Sequence, residues 1–102
     1  MTAIIVSPQA EADLEDLKAR IMAAAGDGIA NSYCQRIVGT IQRLSAIPLA
    51  AGHPVPKLGD GLRCHPFGKY NIYLKYDVGS DTLYVVRILH GRRNITKRLI
   101  KA

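Results

Sequence analysis

Three histidines, two cysteines and a crowd of arginines are the residues of this chain best suited to chemistry. His65 and His90 are the acid–base candidates, because imidazole titrates near neutrality without help from its surroundings. His90 closes an apolar run, Val85-Val86-Arg87-Ile88-Leu89-His90, and His65 lies in a preceding segment, so a sheet joining the two segments would bring the rings closer. No Asp or Glu is placed to orient either ring, and a proton-transfer site needs such a group. The simpler reading makes His90 a hydrogen-bonding cap at a strand end and His65 an exposed edge residue. His53, His65, His90, Cys34 and Cys64 share no ligand spacing, so no metal is expected. Cys34 and Cys64 lie 30 residues apart, outside any CxxC pattern, and read as reduced core thiols rather than a disulfide. No motif asks for a cofactor.

Arg87 is the odd residue of its strand. A buried guanidinium without a partner costs several kcal/mol, on the order of a lost buried ion pair, so Arg87 must be paired or reach an open face. Its partner would be a sheet-edge carbonyl or an acid such as Asp77 or Asp81; alternatively, it faces a macromolecular ligand. Arg63, Arg92, Arg93, Lys97 and Arg98 are the other binding candidates, with Lys101 extending the cationic tail. The charge is uneven: residues 1–60 hold five basic and six acidic side chains, a net of −1, whereas residues 61–102 hold nine and two, a net of +7. Such a half attracts polyanions or an acidic protein surface. The six aromatics, Phe67 and five tyrosines, make a thin stacking platform for single-stranded nucleic acid. Tyr33, Tyr70 and Tyr76 fall on core stripes, leaving Tyr73 and Tyr84 as the more exposed pair.

The elements that position these residues follow from spacing. One hundred and two residues suit a single domain, 1–102, with no linker, repeat or low-complexity tract. Met1–Val6 shows no basic leader, and its apolar run is too short for a signal or a membrane span, which points to the cytoplasm. Ala3–Val6 reads as a short β-branched strand. Ser7-Pro8 opens a helix whose apolar stripe is Ala10, Leu14, Leu17, Ile21 and Ala24 or Ala25. Glu15, Asp16, Lys18 and Arg20 make its solvated face, while Glu11 and Asp13 suit its positive end. After Gly26-Asp27-Gly28 a second stripe, Ala30, Tyr33, Ile37, Ile41, Leu44 and Ile47, runs to Pro48. Leu49–Gly61 is an irregular crossing segment. Leu62–Pro66, Tyr70–Tyr76 and Thr82–Leu89 read as strands, the last apolar enough to be covered on both faces. Val78-Gly79-Ser80 turns the hairpin between the latter two. Asn94–Lys101 suits a short basic helix. With only Ile95, Leu99 and Ile100 as sizeable apolar groups, it reads as an exposed binding element whose loss after Arg93 would spare the fold. The class is α+β: a strand, a two-helix antiparallel hairpin, then a three-stranded antiparallel meander in one small, largely antiparallel sheet.

That order resembles the ParE/RelE toxin superfamily, and the local motifs resemble it more specifically. Ser7-Pro8-Gln9-Ala10-Glu11-Ala12-Asp13-Leu14 is similar to the family's passage from strand to helix. Ile47-Pro48 with Gly52, Pro56, Leu58 and Gly61-Leu62-Arg63 is similar to its helix-to-sheet crossing. Gly68-Lys69-Tyr70-Asn71-Ile72-Tyr73 and Val85 through Asn94 are similar to its two central strands. The resemblance implies the toxin of a type II toxin–antitoxin pair. Its ParE-like branch implies inhibition of DNA gyrase by protein contact and neutralisation by a ParD-like antitoxin, in a heterotetramer that touches DNA only through the antitoxin.

The RelE-like branch instead implies ribosome-dependent mRNA cleavage. That chemistry needs a base for the 2′-hydroxyl, a cation for the phosphorane and an acid for the leaving oxygen. With the comparison anchored on Tyr70 and Gly91, the branch's two lysine positions fall on Leu62 and Cys64, its arginines on Asn71 and Arg93, and its terminal tyrosine on Leu99. Arg93 alone keeps the family's residue type. No catalytic residue is therefore expected, and the alternative is an interferase with a rearranged His/Arg site.

Overall fold

Ser7 decides where the first helix starts. In the computed structural model, which describes residues 2–92 and Ile100, β1 (Ala3–Val6) gives way at Ser7 to α1 (Pro8–Ala25). The Ser7 Oγ accepts a hydrogen bond from the Ala10 N–H at 3.0 Å, and Pro8 occupies the first turn, where a missing N–H is no loss. Ala10 and Leu17 are buried, with Leu14 and Ile21 packed beside them. On the solvated side Asp16 and Arg20 pair at 3.1 Å, both largely exposed, an interaction worth at most about 1 kcal/mol. Gly26 alone breaks the helices. It turns the chain at φ 92°, and α2 (Asp27–Ser45) starts one residue later, so Asp27 and Gly28 belong to the second helix rather than to the connection.

The inward face of α2 is Ala30, Ile37, Thr40, Ile41 and Leu44. Ile47, read from the sequence as the end of that stripe, is instead 58% exposed, because the helix stops at Ser45 and a 3-10 turn at Pro48–Ala50 redirects the chain. The crossing segment also contains an unforeseen edge strand, β2 (His53–Pro54). Then come β3 (Leu62–Phe67), β4 (Tyr70–Asp77) and β5 (Thr82–His90).

The sheet runs β1-β5-β4-β3-β2. The meander β3-β4-β5 is antiparallel, as the sequence implies, and β1 joins it parallel to β5, with Ala3 opposite Thr82 and Val6 opposite Val85. The β1–β5 connection passes through the helical hairpin, the usual requirement for a parallel pair. The hairpin covers one face, burying Leu17, Ile37, Ile72, Leu74, Leu83, Val85 and Ile88 in the main core.

The other face is covered too, over its middle. Leu62, Cys64, Tyr73, Leu89 and Ile100 form a second buried cluster, with Val55, Leu58 and Val86 packed against it. Tyr73 is therefore interior, contrary to the alternation reading, while Tyr84 remains partly exposed. Ile100, 7% exposed, belongs to the same cluster, so the tail is not wholly an external element. The rest of the expected C-terminal helix lies outside the described residues.

The hairpin turn is tied to the N-terminus at Asp81. Its Oδ1 accepts hydrogen bonds from the Tyr76 hydroxyl at 2.7 Å and the Thr2 hydroxyl at 2.8 Å, and its carbonyl accepts the Ala3 N–H at 3.0 Å. The Tyr76 and Thr2 bonds favour the charged form and hold the Asp81 carboxyl below the usual range. A carboxyl depressed on folding contributes stability above its unfolded value and loses it as pH falls through the folded value. The urea midpoint of Asp81→Asn is thus expected to lie below wild type at pH 7 and to converge on it as pH falls below the ordinary carboxylate range. A gap of constant size across that range would show that the bonds do not depend on the charge.

Candidate functional site

The sheet register limits which candidates can meet. His65 lies opposite Ile72, which lies opposite Ile88, so His90 is two strands across and two residues along from His65. At ordinary strand spacing and rise that is on the order of 12 Å between backbones, too far for a shared acid–base pair. The His90 Nδ1 accepts the Arg92 N–H at 3.1 Å, and its ring packs edge-on to Tyr70 with centroids 5.2 Å apart. It caps the strand end, as the simpler sequence reading holds.

Arg63 turns toward the crossing segment, where its guanidinium donates to the carbonyls of Ala51 and Gly52. Those bonds fix the approach of Gly52, whose φ is 67° and whose absent Cβ would sit 2.6 Å from the Cys64 carbonyl oxygen. Arg87 has an acid for a partner, but not Asp77 or Asp81, which sit at the opposite end of the β4–β5 hairpin. The partner is Asp13 of α1. Arg87 Nε and Nη2 reach the two Asp13 oxygens at 2.8 and 3.0 Å, with the side chains 9% and 11% exposed. Hydrogen bonding to Asp13 stabilises the charged guanidinium against the opposing cost of burial and raises its pKa further. Arg93, Lys97 and Arg98 lie outside the described residues.

Asp13 has a second duty, set by topology. β1 stops at Val6, while β5 runs on to His90, so among the described residues no strand flanks the outer edge of β5 beyond Val85. Side chains and one backbone group from the β1–α1 corner take over. The Ser7 N–H donates to the Val85 carbonyl at 3.0 Å, the Ser7 hydroxyl donates to the Val86 carbonyl at 2.7 Å, and Asp13 Oδ2 accepts the Ile88 N–H at 3.0 Å. Beyond Ile88 lies an open groove of about 480 Å³ between α1 and the end of β5. Asp13, Asp16, Leu17 and Arg20 form one wall, and Tyr70, His90 and the exposed Arg92 border the other. It is a mixed-charge surface.

Sequence reasoning missed Asp13, and a signal was present. At 100° per residue Asp13 lies about 40° from Leu17, on the flank of the buried stripe. An acid there and a lone arginine in an apolar strand are each costly alone and solve one another's problem.

The second face offers a different surface. Leu62 and Cys64, both 4% exposed, are packed with Tyr73 under Ile100. Burial pushes the Cys64 thiol up, with the Tyr73 hydroxyl opposing slightly, and burial likewise pushes Tyr73 up. A neutral thiol in such surroundings is a poor nucleophile. Among the described residues, no three His, Cys, Asp or Glu side chains gather to hold a metal ion, and no helix is long and apolar enough to cross a membrane.

A helical hairpin on a mixed five-stranded sheet, its first strand parallel to its last, is the fold of the ParE/RelE-like toxins. The sequence profile of the ParE toxin of type II toxin–antitoxin systems, parDE, matches residues 4–95, and the chain belongs to that family. Among solved structures it is similar to the chromosomal ParDE toxin–antitoxin system from P. aeruginosa, with TM-score 0.76 and 19% identity over 88% of this chain and 96% of that one. It is also similar to the toxin–antitoxin complex RelBE2 from Mycobacterium tuberculosis, with TM-score 0.62 and 25% identity over 87% and 96%. No curated protein matches it.

Proposed function

We propose that this ParE-family chain is a toxin that inhibits DNA gyrase by protein contact, in the cytoplasm, and is held inactive by a ParD-like antitoxin in a hetero-oligomer. The observation that carries the reading is the packing of Leu62 and Cys64. Where the resemblance puts the two lysines of an RNA-cleaving relative, this chain has an aliphatic side chain and a protonated thiol, both buried in an apolar cluster. A cation there could not be added without breaking that cluster, and a phosphorane forming beside it would meet no stabilising charge. Among the described residues, His90 and Arg92 sit together at the end of β5 beside α1, away from Leu62 and Cys64. The net +7 of residues 61–102 and the mixed-charge groove support a protein-binding toxin and an antitoxin carrying acidic residues.

Expressed without its antitoxin, the chain is expected to induce the DNA-damage response and leave translated mRNA intact. Primer extension across cellular messages, alongside a damage-response reporter, checks both. Codon-phased cuts at translated sites would overturn the gyrase reading and establish an interferase working through His90 and arginines. Co-expression of the neighbouring reading frame should abolish toxicity and give a co-purifying complex.

A further inference from the structure

The flank of α2 that faces away from α1 carries charges that the fold does not use. Arg36 and Arg43, both exposed, are seven residues apart, which puts them within about 20° of each other around the helix and about 10.5 Å apart along it. Each is held by a neighbour that leaves its charge unmatched. Arg36 lies over the Phe67 ring of β3, its guanidinium carbon 5.5 Å from the centroid. Arg43 folds back along the helix, where its Nη2 donates to the Thr40 hydroxyl at 3.0 Å, and that hydroxyl donates to the Arg36 carbonyl at 2.8 Å. Lys69, exposed on the β3–β4 turn two residues beyond Phe67, adds a third cation.

No acid answers them. Of the eight acidic side chains in the sequence, four are on α1, which packs along the opposite flank of α2, where Lys18 shares a groove with Cys34 and Val38. Asp27 opens α2, nine residues and about 180° round the helix from Arg36. Asp77 and Asp81 are at the far end of β4 from Lys69, and Asp60 shares a pocket with Val86 and Ile100 on the other face of the sheet. Among the described residues, no carboxylate pairs with Arg36, Arg43 or Lys69. A guanidinium already held in place loses little freedom on meeting an anion, and its fork of N–H groups matches phosphate oxygens. The Phe67 ring has Arg36 over it and Tyr33 edge-on with centroids 5.3 Å apart, so it is no platform for an unpaired base. Such a ligand is met through its backbone, as a duplex is. The separation of about 10.5 Å spans roughly three phosphates of one strand, at about 3.4 Å each along the axis.

We infer that this flank, through Arg36, Arg43 and Lys69, binds the phosphate backbone of duplex DNA, giving the toxin a DNA contact of its own beside any made through an antitoxin. The phosphate contact stands on the geometry; the choice of DNA over RNA rests on the gyrase reading above. An acidic protein fits less well, because protein partners are anchored by apolar side chains and the flank offers Gly39 and Thr40 between the two arginines.

Fluorescence anisotropy of the whole chain with a labelled DNA duplex of about 20 base pairs, followed between about 50 and 200 mM salt, tests it. The double variant Arg36→Gln, Arg43→Gln, with its melt checked against wild type, is expected to bind about tenfold more weakly at the low-salt end. Its log affinity should fall with log salt along a slope shallower by about 1.8, the loss of two phosphate contacts. Lys18→Gln, on the α1 side, should leave affinity and slope unchanged. An RNA duplex of the same sequence should bind no tighter, and polyglutamate of equal charge should displace the DNA poorly. A wild type that does not bind, or a double variant that keeps the wild-type affinity and slope, overturns the inference and leaves the gyrase reading standing. RNA bound tighter than DNA overturns the choice of DNA and counts against the gyrase reading as well. Ready displacement by polyglutamate overturns the assignment to nucleic acid and turns the flank over to an acidic protein.

Discussion

Asp13→Ala is expected to destabilise the protein by about 3–5 kcal/mol, the usual consequence of removing one member of a buried ion pair. The substitution takes away the carboxylate that both bonded Arg87 nitrogens share in a site 9% exposed and orphans the Ile88 N–H at the same time. Domains of this size have total stabilities of about 5–15 kcal/mol, so the variant should unfold at a small fraction of the wild-type urea concentration. Arg87→Ala should cost a similar amount by leaving the carboxylate buried. The double variant Asp13→Leu, Arg87→Met replaces both charges with apolar volume and should recover most of the loss, though the Ile88 N–H stays unpaired. Chemical denaturation of the four proteins gives the coupling directly. If the single variants lose less than about 1 kcal/mol, the pair behaves as a surface contact and the edge of β5 is held by Ser7 alone.

That pair also marks where the sequence stopped being legible. Local rules were sufficient for α1, because Ser7, Pro8 and a four-and-three stripe all act within a few residues. They were sufficient for the meander, where alternation and the Val78–Asp81 turn fix strands within one hairpin. They failed where two distant segments settle a matter between them. Asp13 and Arg87 are 74 residues apart, and each looks accounted for by itself, one by a helix dipole and the other by a hairpin acid. Tyr73 failed for a related reason. Alternation identifies the two faces of a strand but not which of them is covered, and Tyr73 lies in a cluster that includes Ile100 and has Val55 and Leu58 packed against it, from either end of the last half of the chain. The strand His53–Pro54 is shorter than any period that could reveal it. Of the candidate binding residues, Arg63 and Arg87 are engaged in holding the fold, and their basic character alone could not have shown that.

The C-terminal tail is the remaining place where fold and function overlap, and Ile100 separates them. Read as sequence, residues 94–102 are a cationic appendage whose removal costs little. Yet Ile100 is buried in one apolar cluster with Leu62, Cys64, Tyr73 and Leu89. Truncation after Arg93 should therefore lower stability as well as remove charge, and toxicity lost in that truncation would not identify a binding element. Ile100→Ala, which keeps every charge, is expected to cost about 2–4 kcal/mol by the lost transfer energy and the cavity left behind. For a domain of this size that is a fall in Tm on the order of 10 °C or more. Replacement of Lys97, Arg98 and Lys101 by glutamine, with Ile100 retained, is expected to leave the melt within about 2 °C of wild type and to reduce toxicity, as removal of exposed charges from a steering surface would. Circular dichroism melts and a growth assay on both variants decide the matter. An unchanged melt for Ile100→Ala would mean that the second-face cluster closes without the tail. Full toxicity in the glutamine variant would move the target-binding surface to the groove bordered by His90 and Arg92, where the same assay on Arg92→Glu should then show the loss.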